Sequence, residues 1–220
     1  MNIVSTRLGL WLCIIGPAFI LSGCPDAVYC SGGSCYGFYY DSLVSGLSYE
    51  SRNEGVVTHS GVTGEDGDPG RFTFAEGGTV SFSIGDLDLG ESIAKERVTP
   101  FDLAGVDEEP IGGCDVDGPL AADVGAFRKV VNLAILLQTL DADGDPENGI
   151  EILPEVAALF QGSSISLDQD HSTFTADAAL QDALDEANAS SRFPEERTPV
   201  QAEDALRALY RGIGLCPTEQ

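Results

Sequence analysis

Positive charge is scarce in this sequence. Eleven Lys and Arg stand against 36 Asp and Glu, a formal net charge of −25. A surface this acidic repels nucleic acid and anionic lipid, so no nucleic-acid partner is expected; it suits solubility in an exposed setting, or contact with cations and basic partners. Histidine is limited to His59 and His171, which leaves few general bases near neutral pH. There is no Gly-x-Ser-x-Gly elbow, no His-Glu-x-x-His and no Gly-x-x-x-x-Gly-Lys, so the motifs of acyl transfer, zinc hydrolysis and phosphate binding are missing. Both histidines read as surface or satisfied residues. Asp86 and Asp88 could face each other as a glycosidase pair does, but among so many acids their proximity in sequence means little. No enzyme and no catalytic residue is expected. Past residue 23 no apolar run reaches the roughly 20 residues a membrane helix needs.

A shorter apolar run, too short for a stable membrane span, begins the chain. Arg7 is the sole charged side chain among residues 1–23, and the apolar stretch 8–21 follows it. A short positive region before an apolar stretch of this size is a secretory signal peptide. It leads into Leu21-Ser22-Gly23-Cys24, which resembles a bacterial lipobox. That resemblance implies lipidation of the Cys24 thiol, cleavage before it and acylation of the new amino group. Two or three acyl chains, at about 0.8 kcal/mol per buried methylene, give a stable membrane anchor where one does not. Pro25 and Asp26 do not decide between membranes; the outer membrane is the expectation.

Four further cysteines remain: Cys30, Cys35, Cys114 and Cys216. An even number outside the cytoplasm points to two disulfides, with three connectivities open. Cys30 and Cys35 flank a short flexible loop that can close on itself, which would leave Cys114 with Cys216. Zinc is the rival, but the spacing fits no common finger and the histidines lie far apart in sequence.

Residues 24–37 read as the anchor and a Gly- and Ser-rich tether. Period-two patterns then predict strands over 38–49, 56–62, 71–74 and 79–84, a short one over 86–89, and extended backbone at Val98, separated by Gly/Asp/Pro turns. From about residue 105 the period lengthens. Residues 123–140 carry Phe127, Val130, Val131, Ala134, Leu137 and Leu140 at steps of three and four, with Asp123 as N-cap. Leu133, Ile135 and Leu136 widen that stripe, so the helix should be buried on most sides. Further helices are expected over 154–160, over 175–187, and after Thr198-Pro199, where Thr would cap and proline would occupy the first turn. Residues 165–167 read as extended. The predicted fold is α+β: a small antiparallel β-sandwich over 38–104, then a helical part over 105–220 that shares its core.

Several segments carry a wider resemblance. They are Gly61-Val62-Thr63, Gly70-Arg71-Phe72-Thr73-Phe74, the run from Gly77 to Asp86, Leu89-Gly90, Val98-Thr99-Pro100-Phe101-Asp102-Leu103, Val131-Asn132-Leu133-Ala134, and Leu136 through Ile150 (LLQTLDADGDPENGI). Across roughly 43–210 the chain resembles a module of Gram-negative surface lipoproteins and secreted proteins, found at the front of adhesins and exported hydrolases. It is also similar to N-terminal regions of accessory-colonisation-factor lipoproteins. Its β part looks like the prealbumin-type sandwiches of carboxypeptidase regulatory domains. The Gly67-Asp68-Pro69 turn and the Cys114/Cys216 pair depart from that pattern. The resemblance implies a location and a fold more than a reaction.

One motif suggests a ligand. Asp141, Asp143 and Asp145 alternate after the long helix, as oxygen ligands do at the start of a calcium loop. Position six is Pro146 rather than glycine and position twelve is Ile152 rather than glutamate. A polar turn, its Asp and Asn side chains bonding their own backbone, competes with calcium here. Asp168 and Asp170 read as part of a solvated loop. The functional expectation is a cell-envelope lipoprotein held to the membrane by its N-terminal lipid. It would serve as a non-catalytic, adhesin-like binding module for an envelope or extracellular protein or glycan. A purely structural envelope protein is the alternative, and an enzyme with an unrecognised site a more distant one.

Overall fold

The computed structural model describes residues 30–122 and 125–216. The leader, Cys24 and the expected cap Asp123 lie outside the described residues. The fold is α+β, with antiparallel sheets and several helices.

Strand β1 (Cys30–Ser31) turns back into β2 (Ser34–Tyr39), and the Cys30–Cys35 disulfide closes that turn. The expected tether therefore gives way to sheet from Cys30 onward. Alternation is the reason: Cys35, Gly37 and Tyr39 all point into the core, so the strand begins well before residue 38. On one side β2 pairs antiparallel with β6 (Arg71–Ala75), which buries Phe72 and Phe74; on the other it pairs parallel with β9 (Arg97–Val98). Gly37 is where this sheet can hold no side chain, since a Cβ there would stand 2.3 Å from the Lys95 carbonyl oxygen.

The second sheet has the order β5 (Val56–Val62), β4 (Ser48–Asn53), β7 (Thr79–Ile84), β8 (Leu87–Ile93), antiparallel throughout. The expected 38–49 strand is in fact the end of β2, a turn, the short β3 (Val44–Ser45) and the start of β4. Glu54 and Gly55, both at positive φ, make the two-residue β4–β5 turn. The inward faces meet through aromatic edges, with Phe82 against Phe72 at 5.2 Å and against Tyr39 at 4.9 Å between ring centroids.

Helix α1 (Pro100–Ala104) was not anticipated. Thr99 precedes it, the Asp102 carboxylate accepts from the Thr99 N–H at 2.9 Å, and Pro100 occupies the first turn. The Thr-Pro signal expected at 198–199 thus acts a hundred residues earlier. After α2 (Asp117–Ala122) comes α3 (Phe127–Thr139), in which every residue from Val130 on is buried. Then follow α4 (Pro154–Ala157) with a 3-10 turn to Phe160, α5 (His171–Thr175), α6 (Ala178–Ala189) and α7 (Ala202–Gly212). The helix expected over 175–187 starts at Ala178 instead, capped by Asp177, and a separate short helix capped by Asp170 ends at Thr175. Helix α7 starts at Ala202 rather than after Thr198. The preceding segment is held extended: the Asn188 amide pairs both ways with the Arg197 backbone, and the Val200 N–H donates to Thr139 Oγ1 at 3.0 Å. Residues 165–167 belong to no strand, although Ile165 and Leu167 are buried.

All buried apolar residues, from Cys35 to Ile213, form one cluster. Helix α3 is its axis, packing on α1 and α7 while α1 packs on β8. The two parts meet closely at Gly85, in the β7–β8 turn, where a Cβ would lie 2.5 Å from the Ala157 carbonyl oxygen. Cys114 and Cys216 are disulfide-bonded, tying the segment before α2 to the end of the chain. Among the described residues no helix is long and apolar enough to cross a membrane.

Candidate functional site

The acidic loop after α3 is fastened to the β part. Strand β10 (Ile150–Glu151) pairs parallel with β3, and the Ile150 and Ile152 amides donate to the Leu43 and Ser45 carbonyls. A cavity of about 350 Å³ opens along this seam, its wall including Ser45, Gly64, Asp141, Asp143, Asn148 and Glu151.

The three loop aspartates do not act alike. Asp145 caps the 3-10 turn Pro146–Asn148, accepting from the Glu147 N–H. Asp143 accepts from the Asp145 N–H at 2.9 Å and from Asn148 Nδ2 at 3.0 Å; the Asn148 amide first, then the Asp145 N–H, hold its pKa below the usual carboxylate value. Asp141 is buried, 1 % exposed. One of its oxygens accepts from the Glu151 N–H at 2.9 Å, and the other, Oδ2, has no donor. Burial pushes its pKa up to about 6 against the Glu151 hydrogen bond, and Asp143 adds to the rise. Arg197 closes the far side, donating to the Asp141 carbonyl oxygen and lying over Gly144, where a Cβ would be 2.2 Å from its Nη1. Among the described residues, no group of three or more His, Cys, Asp and Glu side chains converges on one point. Of the expected trio, Asp141 keeps an oxygen without a donor, while Asp143 and Asp145 accept from groups of the loop itself.

Other residues singled out from the sequence are spread apart. His59 Nε2 lies 3.0 Å from Ser34 Oγ at an exposed position, while its Nδ1 has no partner to orient the ring for general-base work. His171 opens α5. Asp86 accepts from the Gly162 N–H at 2.7 Å and Asp88 from the Gly90 N–H at 2.8 Å, so each carboxylate serves a turn. Asp170 caps α5, and the Ser172 hydroxyl with the Thr173 amide holds its pKa low. Asp168 stays exposed. The two disulfides pair Cys30 with Cys35 and Cys114 with Cys216.

Two features carried no sequence signal. Asp41 is 1 % exposed, and Gln138 Nε2 donates to its two oxygens at 3.1 and 3.2 Å and to the Ala205 carbonyl at 2.9 Å. Burial pushes the Asp41 pKa up to about 8, with Gln138 opposing. The second feature is the outer face of the β5-β4-β7-β8 sheet. There Ser60, Glu50, Ser81 and Glu91 stand in one cross-strand row, and Val62, Ser48, Ser83 and Asp88 in the next. A shallow depression of about 500 Å³ follows these rows.

Searches of family models, curated proteins and solved structures return no match to this chain.

Proposed function

We propose that the chain is an exported lipoprotein, held by lipid on Cys24 to the outer membrane, whose body is a non-catalytic interaction module. The observation that carries the export half is the cysteine chemistry: all four cysteines after Cys24 are disulfide-bonded, and structural disulfides form and persist in oxidising compartments. The lipobox-like Leu21-Ser22-Gly23-Cys24 supplies the anchor. The module reading takes the β part as a prealbumin-like sandwich, of the kind at the front of adhesins and accessory-colonisation-factor lipoproteins. Its contact surface is the outer sheet face, where serine hydroxyls alternate with Glu50, Asp88 and Glu91. Hydroxyls beside carboxylates bind hydrogen-bonding partners, a basic protein surface or a glycan, better than apolar ones.

Labelled fatty acid should enter the protein in cells, and Cys24→Ser should abolish both the label and membrane association; continued labelling of that variant overturns the anchor. Crosslinking on intact cells should then capture a reproducible protein or polysaccharide partner, and Ser48→Arg with Glu91→Arg should remove it without lowering thermal stability. No partner, with only envelope defects on deletion, would favour a purely structural role.

A further inference from the structure

We propose that the cavity between β3 and the 141–151 loop binds one calcium ion, held by the carboxylates of Asp141 and Asp143. Asp141 lines the cavity; its side chain is buried and its Oδ2 lacks any donor. The Asp143 carboxylate stands within hydrogen-bond reach of the Asp141 side chain. Asp143 Oδ2 accepts from Asn148 Nδ2, but Asp141 Oδ2 beside it accepts from no N–H or O–H, and the neighbouring Arg197 guanidinium donates to the Asp141 backbone carbonyl instead, so the pair calls for a shared proton or a bound cation. The surroundings favour a hard cation. Asn148 and Glu151 add oxygen at the same wall, the cavity has room for waters that complete six to eight ligands, and no sulfur or imidazole lines it. Hydrogen bonds fix the pair in place: Asp141 Oδ1 accepts from the Glu151 amide, Asp143 Oδ1 from the Asp145 amide and Asp143 Oδ2 from Asn148 Nδ2. The assignment differs from a standard twelve-residue calcium loop because Asp145 takes no part. A two-carboxylate site belongs with the weak calcium sites of extracellular modules, with Kd about 10⁻⁴ to 10⁻³ M.

The test is calorimetric titration of calcium chloride into the disulfide-intact protein, stripped with chelator, in sodium chloride near physiological strength to screen the acidic surface. One saturable site is expected. Asp143→Asn, whose amide oxygen still accepts from the Asp145 N–H and whose NH2 can donate to Asn148 once that amide turns over, should weaken binding at least tenfold. Asp145→Asn, which keeps the turn cap, should leave it within twofold. The absence of saturable binding overturns the proposal. Undiminished affinity in Asp143→Asn also overturns it, since diffuse attraction to the acidic surface would then explain the heat. Equal weakening by Asp145→Asn overturns the two-carboxylate assignment. A measurement free of any variant is the melting temperature of the wild-type chain. Calcium at ten times Kd should raise it by about 3–6 °C over sodium chloride of equal ionic strength; an unchanged value counts against the site.

Discussion

Asp41→Asn should make this protein more stable at alkaline pH and leave it nearly unchanged at acid pH. The side chain is buried to 1 % exposure and, among the described residues, its side-chain donor is the Gln138 amide. A single neutral donor does not offset the cost of burying a carboxylate charge, so the group stays protonated in the folded protein up to about pH 8. In the unfolded chain it ionises near its ordinary value, about 3.9. Between those values the folded state holds one more proton than the unfolded state, so stability falls as pH rises. The contribution is fully present below pH about 4, declines by up to about 1.4 kcal/mol per pH unit, and is gone above about 8. Across that window the ceiling is on the order of 5 kcal/mol. Asparagine keeps an oxygen for Gln138 and cannot ionise. Urea unfolding followed by far-UV circular dichroism from pH 5 to 8.5 should give wild-type midpoints that fall with pH relative to those of Asp41→Asn. The variant should lead by a few kcal/mol at pH 8.5. A difference that stays flat across this range, or a variant weaker at pH 8.5, would refute the reasoning.

Removing the Cys114–Cys216 bridge, with partners 102 residues apart, should cost about 4–5 kcal/mol on loop-entropy grounds, against about 2 for Cys30–Cys35; urea midpoints of the paired Cys→Ala variants check the order, and equal costs refute it. Gly37→Ala should destabilise by about 1–3 kcal/mol, because its Cβ would meet both the Lys95 carbonyl and the Phe72 ring; a thermal melt equal to wild type would show that the strand can shift. Asn132→Leu should loosen the segment around Leu167 and Gln169, whose carbonyls accept from the Asn132 amide at 2.9 and 2.7 Å; hydrogen exchange there should rise while that of the β sheets stays slow, and uniform exchange would contradict it.

What could be read from residues was local. Strands Val56–Val62 and Thr79–Ile84 end where their alternation ends, because a side-chain period of two and flanking Gly turns are written into neighbouring residues. The broad apolar stripe of α3 announced a helix buried on most sides, and the cysteine spacing allowed the pairing that forms. Boundaries failed where a distant partner intervened. Residues 30–37 looked like a tether because Gly and Ser are frequent there, yet residues 72–75 arrive from a distant strand to pair with 34–37. Thr198-Pro199 looked like a helix start, yet Thr139 and Asn188 hold that segment extended.

The candidate site divides in the same way. The residue types and spacing of Asp141, Asp143 and Asp145 marked an oxygen-rich turn, since alternate short acids can always reach their own backbone. The tertiary structure decided which of them lack donors. Burial of Asp141 depends on β3 docking beside β10, and burial of Asp41 on α3 and α7 closing over it. Desolvation and the lining of a cavity belong to surfaces brought together from residues a hundred positions apart, and no pattern among neighbours encodes them.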